Sequence, residues 1–156
     1  MAKKKKESPF KQSVNIQNRK ARFDYHLHDK FEAGLVLQGT EIKSIRMAKV
    51  NLQGAFCLMI DGELFVRDMH ISEYKQGNIH NHNEKADRKL LLSKRELRKI
   101  AAKMEEDGMT VVPTRLFING RGWAKLEIAL AKGKKLHDKR DTIKDRDTQR
   151  DLDRYR

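Results

Sequence analysis

The chain has 156 residues and a formal net charge of +13, from 35 Lys and Arg against 22 Asp and Glu. One folded body of ordinary domain size is expected, no stretch approaches the roughly 20 apolar residues of a membrane span, and the single cysteine, Cys57, excludes an intrachain disulfide. The charge is gathered at the ends: residues 1–22 hold eight cations and one acid, residues 132–156 ten and six, and the stretch between them seventeen and fifteen. A near-neutral body with two basic ends suits a polyanionic partner, since phosphate contacts release counterions. A solubilising coat is the competing reading, but solubility does not require charge gathered at the ends. Met1–Lys6 is basic without a following apolar run, so no secretory signal and a cytoplasmic location are expected.

Residues 1–14 read as a flexible basic arm, polar and without periodicity. Phe23, Tyr25 and Leu27 alternate with Asp24, His26 and His28, the pattern of a half-buried strand. Asp29-Lys30 reads as a turn, and Phe31–Leu37 as a second strand whose interior Gly34 marks a bulge or sharp bend. After Gly39, Thr40 caps a short helix carrying Ile42, Ile45 and Arg46. Val50–Ile60 is a strand broken near Gly54, Asp61-Gly62 a hairpin turn, and Glu63–Met69 the returning strand. Residues 72–88 read as a polar loop and Lys89–Leu92 as a short strand. Ser93 and Glu96 form a capping box for a helix with Leu97, Ile100, Ala101 and Met104 on one face, stopped at Gly108. Thr110–Asn119 and Gly122–Ala131 are strands joined around Asn119-Gly120.

About six short strands with one long and one short helix give a mainly β fold, expected to be a small OB-like closed β-barrel over residues 15–132. Basic tails flank it. The C-terminal one, residues 133–156, has only Leu136, Ile143, Leu152 and Tyr155 as large apolar groups, too few to fold alone. Arg146, Arg150 and Arg154 recur at a spacing of four, beside Asp147 and Asp151. The tail is therefore expected to be disordered when free and helical when its arginines meet RNA phosphate.

No P-loop, dinucleotide fingerprint or CxxC pair is present. His70, His80 and His82 lack the cysteine partners and register of a tetrahedral site, so no metal or cofactor is expected. Asp24, Asp29, Glu32 and Glu41 read as solvated acids rather than a catalytic pair, and the chain is not expected to be an enzyme. The cations are more informative. Asn18-Arg19-Lys20-Ala21-Arg22 is an acid-free cluster in which Arg can grip phosphate bidentately and Asn can read a base or sugar edge. Lys43 and Arg46 share a face of the short helix, and Lys125 with Lys132-Gly133-Lys134-Lys135 extends the positive surface.

Asn18–Tyr25, Glu32–Arg46, Lys89–Leu92 and Ala131–Arg140 together resemble, in order and spacing, the signatures of the small protein B family, the SsrA-binding or tmRNA-binding proteins. The resemblance runs from Asn18 to Arg146. It implies an OB-like barrel holding the tRNA-like domain of tmRNA and delivering alanyl-tmRNA, with elongation factor Tu and GTP, to stalled ribosomes. The C-terminal tail would probe the decoding centre and the vacant mRNA channel of the small subunit. By motif position, Asn18, Arg19, Lys20, Glu32, Lys43, Arg46 and Leu91 would belong to the tmRNA face, with Arg22 and Lys125 added from the charge pattern. Gly133, Lys134, Lys135, His137, Asp138, Lys139 and Arg140 would belong to the ribosomal segment, followed by Arg146 and Arg150. His137 stands where many members carry Tyr; either ring can stack on a base. Two other readings remain: a generic OB-type module for ribosomal or single-stranded RNA, which needs aromatic platforms on its strands, and an RNA-processing enzyme.

Overall fold

Asp61 and Gly62 take φ of 50° and 77°, the left-handed pair that a two-residue hairpin demands. They join β4 (Phe56–Ile60) to β5 (Glu63–Arg67), in the computed structural model, which describes residues 13–154. The remaining strands of the main sheet are β1 (Asn15–Gln17), β2 (Tyr25–Leu35), β7 (Arg88–Leu91), β8 (Met109–Ile118) and β9 (Ala124–Gly133). Their order is β1-β8-β4-β5-β7-β2-β9, all antiparallel. β9 also pairs with β8, so the order returns on itself. Short β3 (Val50–Asn51) and β6 (His70–Ile71) pair separately.

Period-two alternation decides what goes inside. Leu64 and Val66 on β5, and Leu126, Ile128 and Leu130 on β9, are at most 1% exposed. Each such side chain contributes roughly 1.5–3 kcal/mol by leaving water. Ile100, from α3 (Lys94–Met104), enters the same core, with Leu97 and Met104 packed against it. Ser93 caps α3, its hydroxyl accepting from Glu96 N–H at 3.2 Å, but the expected box is only half formed: the Glu96 carboxylate accepts from that hydroxyl at 2.9 Å instead of from the Ser93 N–H. Cys57 is buried in this core, and burial pushes its thiol pKa up.

Four α-helices occur among the described residues, where one long and one short were expected. The first unexpected one is α1 (Arg19–Asp24), part of which reads as strand by alternation. Its Ala21 packs with Val112 and Ala131 on the outside of the sheet, flanked by Tyr25 and Leu27, and that tertiary contact overrides the local pattern. The last helix is α4 (Leu136–Arg154), which covers most of the tail. The folded body begins at Val14, which is 4% exposed. Residues 1–12 of the expected arm lie outside the described residues.

Three local expectations are corrected. Asp29-Lys30 is no turn: β2 runs through it, and the register slips between Leu27 and Lys30 as a bulge. Gly34 makes no bulge either; it leaves room for a neighbour described below. The short helix α2 (Gly39–Arg46) begins at Gln38, whose N–H donates to Glu41 Oε1 at 3.1 Å, while Thr40 turns to His82.

A second bulge lies between Pro113 and Arg115 on β8, where Pro has no N–H for the ladder. The carbonyls around this bulge are free to accept from elsewhere, and this positions the first part of the site.

Candidate nucleic-acid interface

Asn18 takes those carbonyls. Its backbone N–H donates to Thr114 O at 2.8 Å, and its side-chain amide donates to Pro113 O at 2.9 Å and to Leu52 O at 3.1 Å. Its Oδ1 accepts from Ala21 N–H at 3.2 Å, capping α1. Asn18 is 3% exposed and both amide hydrogens are engaged, so it offers no donor to a base. Its role is to hold α1 against the sheet, which leaves Arg19, Lys20 and Arg22 exposed in solvent.

Sheet register assembles the rest. One row crosses Gln17, Arg115, Glu127 and Glu32 on β1, β8, β9 and β2. The next crosses Asn15, Phe117, Lys125, Gly34 and, on β7, Leu91. Paired residues in a sheet point to one face, so Glu32, Lys125 and Leu91, up to 93 residues apart in sequence, gather around Gly34. Glu32 and Leu91 are exposed and Lys125 is half-buried. The Arg115 guanidinium stacks 4.2 Å from the centroid of the Phe117 ring. Glu127 sits at the centre: it accepts from Arg115 Nε at 2.8 Å and Thr114 Oγ1 at 2.9 Å, with Lys30 Nζ at 3.6 Å. Burial pushes its carboxyl upward, but these bonds and charges outweigh that and hold its pKa below the usual carboxylate range.

Lys43 and Arg46 are exposed on α2, with the Lys43 ammonium 5.2 Å from the Tyr74 ring. The helix is anchored by a group that sequence reasoning missed. Arg88 is 2% exposed and pairs with buried Glu41. Its other N–H groups donate to the carbonyls of Met69, Ala86, Asn83 and Glu84. Arg88 therefore ties α2 to the segment that reads as a plain loop, which holds a 3₁₀ helix at Lys75–His80. The pair is separated by 47 residues, so no local pattern reveals it. His82 serves the same seam: its Nε2 donates to Ile71 O, and its Nδ1 accepts from the Thr40 hydroxyl, both at 2.9 Å. His70 bonds Glu84 at 3.2 Å. Among the described residues no three His, Cys, Asp or Glu side chains gather as metal ligands.

The tail leaves β9 beside α1. A Cβ on Gly133 would meet nothing within 4 Å, and Lys134 N–H donates to Asp24 O at 2.9 Å. Lys134 Nζ donates to Thr142 Oγ1 at 3.0 Å, and Asp138 accepts from Lys135 N–H at 3.2 Å and lies 3.3 Å from His26 Nε2. Lys139 pairs with Asp24 at 3.2 Å, and the Lys139 and Arg146 cations lie 5.9 and 5.5 Å from the Phe23 ring centroid. Arg140 and Arg150 are exposed, as are Ile143 and Leu152 at 47% and 56%. The side chain of His137 lies outside the described residues.

The sequence model of the SmpB protein family matches residues 15–156. The SsrA-binding protein of Christiangramia forsetii is 56% identical over 144 residues, covering 92% of each chain. That of Bacteroides thetaiotaomicron is 56% identical over 142 residues, 91% of this chain and 95% of that protein. A solved chain described under the words "tmRNA-SmpB: a journey to the center of the bacterial ribosome" superimposes with a TM-score of 0.68 at 41% identity, covering 83% of this chain and 94% of that one.

Proposed function

Because the chain belongs to the SmpB family, we propose that it is an RNA-binding protein of trans-translation, which binds tmRNA and brings it to stalled ribosomes. Relatives carrying the name SsrA-binding protein and the likeness to a tmRNA–SmpB structure support this reading. The observation that carries it in this chain is the gathering of Glu32, Lys125 and Leu91 around Gly34, far from the root of the tail. Gly34 and Tyr25 lie nine residues apart on β2, about 30 Å of strand. Tail and sheet patch can therefore serve two partners at once.

The sheet, returning on itself through β8 and β9, is read as a closed OB-like barrel. Glu32, Leu91, Lys125, Lys43 and Arg46 face the tRNA-like domain, with Arg19, Lys20 and Arg22 contacting phosphate. Asn18 contributes by placing α1. The carboxylate of Glu32 accepts from an exocyclic amine or a 2′-hydroxyl. The tail, with Lys134, Lys135, His137, Asp138, Lys139, Arg140, Arg146 and Arg150, leaves Phe23 for the decoding centre and mRNA channel of the ribosome. It is held as a helix there by phosphate, since Ile143 and Leu152 are half exposed without it. Elongation factor Tu with GTP arrives through tmRNA, and the protein catalyses no reaction itself and works in the cytoplasm. Among the described residues no helix is long and apolar enough to cross a membrane.

The experiment is a division of labour. Removing residues 133–156 leaves tmRNA affinity nearly intact and abolishes peptide tagging on stalled ribosomes; equal loss of both sinks the two-surface reading.

A further inference from the structure

Five large hydrophobic side chains are exposed among the described residues, and two of them, Ile143 and Leu152, belong to α4. The other three are Val36, Leu91 and Trp123, exposed by 51%, 52% and 68%. They are not scattered. Leu91 pairs with Gly34, and the backbone N–H of Val36 donates to Lys89 O at 3.1 Å, so Val36 continues the outward face of β2 beside β7. On the other side Gly34 pairs with Lys125. That is the last pair of the ladder, and continuing its register by two residues, past the ends of β2 and β9, sets Trp123 level with Val36. All three therefore meet at one corner, spanning two strand spacings or about 10 Å. Isolated surface hydrophobics need no explanation, whereas a contiguous apolar patch marks a binding site.

The fold does not use the indole. Trp123 is held through its backbone: its N–H donates to Asn119 Oδ1 and its carbonyl accepts from Asn119 N–H, both at 2.9 Å. These bonds form whatever the side chain is. Cations flank it, with exposed Arg121 two residues before and Lys125 two residues after. An aromatic plate between cations suits a nucleotide, whose base stacks while its phosphate finds positive charge. An acidic or apolar protein surface would use only one of these two features.

We propose that Trp123, with Val36 and Leu91, forms a stacking site for an unpaired nucleobase of the bound RNA. This rests on the tmRNA-binding reading and adds to it a residue that reads an exposed base rather than phosphate. It also provides an aromatic platform beside the outward face of the sheet, where Phe23, which lies on α1, is not placed.

Trp123 is the only tryptophan in the chain, so its emission reports on this site alone. The full-length protein is titrated with the tRNA-like domain of tmRNA. Emission falls on saturation, Trp123→Ala weakens binding about 5- to 150-fold, and Trp123→Phe recovers most of the loss. Unchanged thermal melting of both variants confirms that the loss is not unfolding. Unchanged emission together with full affinity of Trp123→Ala overturns the stacking site. If wild type still prefers tmRNA to an unstructured strand in that case, the proposed function stands without it; if that preference is missing too, both fall.

Discussion

Leu91 lies across the open side of Gly34: a Cβ on Gly34 would sit 3.2 Å from Leu91 Cβ and 3.6 Å from its Cδ1. The glycine serves the exposed face of the sheet, since its missing side chain lets a leucine from the next strand fold over it. Gly34→Val forces Leu91 off this seat. RNA affinity is expected to fall by about the effect of removing the leucine, as Leu91→Ala measures independently. A titration with the tRNA-like domain, set beside a thermal melt, checks that binding suffers more than folding.

Asn18→Ala tests whether a family-signature residue acts on RNA or on the fold. It removes the α1 cap and leaves the Pro113 and Leu52 carbonyls unpaired, a loss of about 2–4 kcal/mol. Well below the melting temperature, RNA affinity should fall less than in the Arg19→Glu/Lys20→Glu double variant. An equal fall in both, at full folding, would return Asn18 to the RNA contacts.

Arg88→Met leaves Glu41 buried without its partner, which costs on the order of 3–5 kcal/mol. Urea unfolding should show the midpoint lower by more than about 1 M. Glu41→Leu added to Arg88→Met recovers part of this, because the buried charge is gone while the Met69 carbonyl still lacks a donor. A double variant no more stable than Arg88→Met alone would contradict the pairing.

Glu127 ties stability to pH. Its folded pKa lies below its unfolded value, so its contribution is present above the unfolded pKa, about 4.3, and is lost as pH falls through the lower folded value. Glu127→Gln should therefore melt below wild type at pH 7, and the gap should close toward pH 3. A gap that stays constant over that range would show the carboxylate charge to be irrelevant.

Much of this was legible locally. Alternation on β5 and β9, the Asp61-Gly62 hairpin, the Ser93 cap and the Leu97–Ile100–Met104 face each depend on residues a few positions apart, and each is where the pattern puts it. What escaped depends on distant contacts. Phe23 continues a strand-like alternation, yet Ala21 finds Val112 and Ala131, and a helix forms instead. Arg88 looks like one more surface cation until Glu41 is brought beside it. Motif position puts Asn18 among the RNA contacts, but a motif's spacing does not say whether a side chain points toward the ligand or the fold, and here it bonds to Leu52, Pro113 and Ala21. The corner around Trp123 escaped for the same reason, since only the register of β2, β7 and β9 brings its three members together.

The core cysteine has a practical consequence. Cys57 is 2% exposed and its thiol is held in the protonated form by burial, so alkylating reagents have neither access nor thiolate in the native state. A second cysteine placed on the exposed part of α4 can carry a dye while Cys57 stays unlabelled. Left in place, Cys57 then serves as an internal clock: the rate at which it consumes reagent counts how often the sheet opens, while the dye follows the tail.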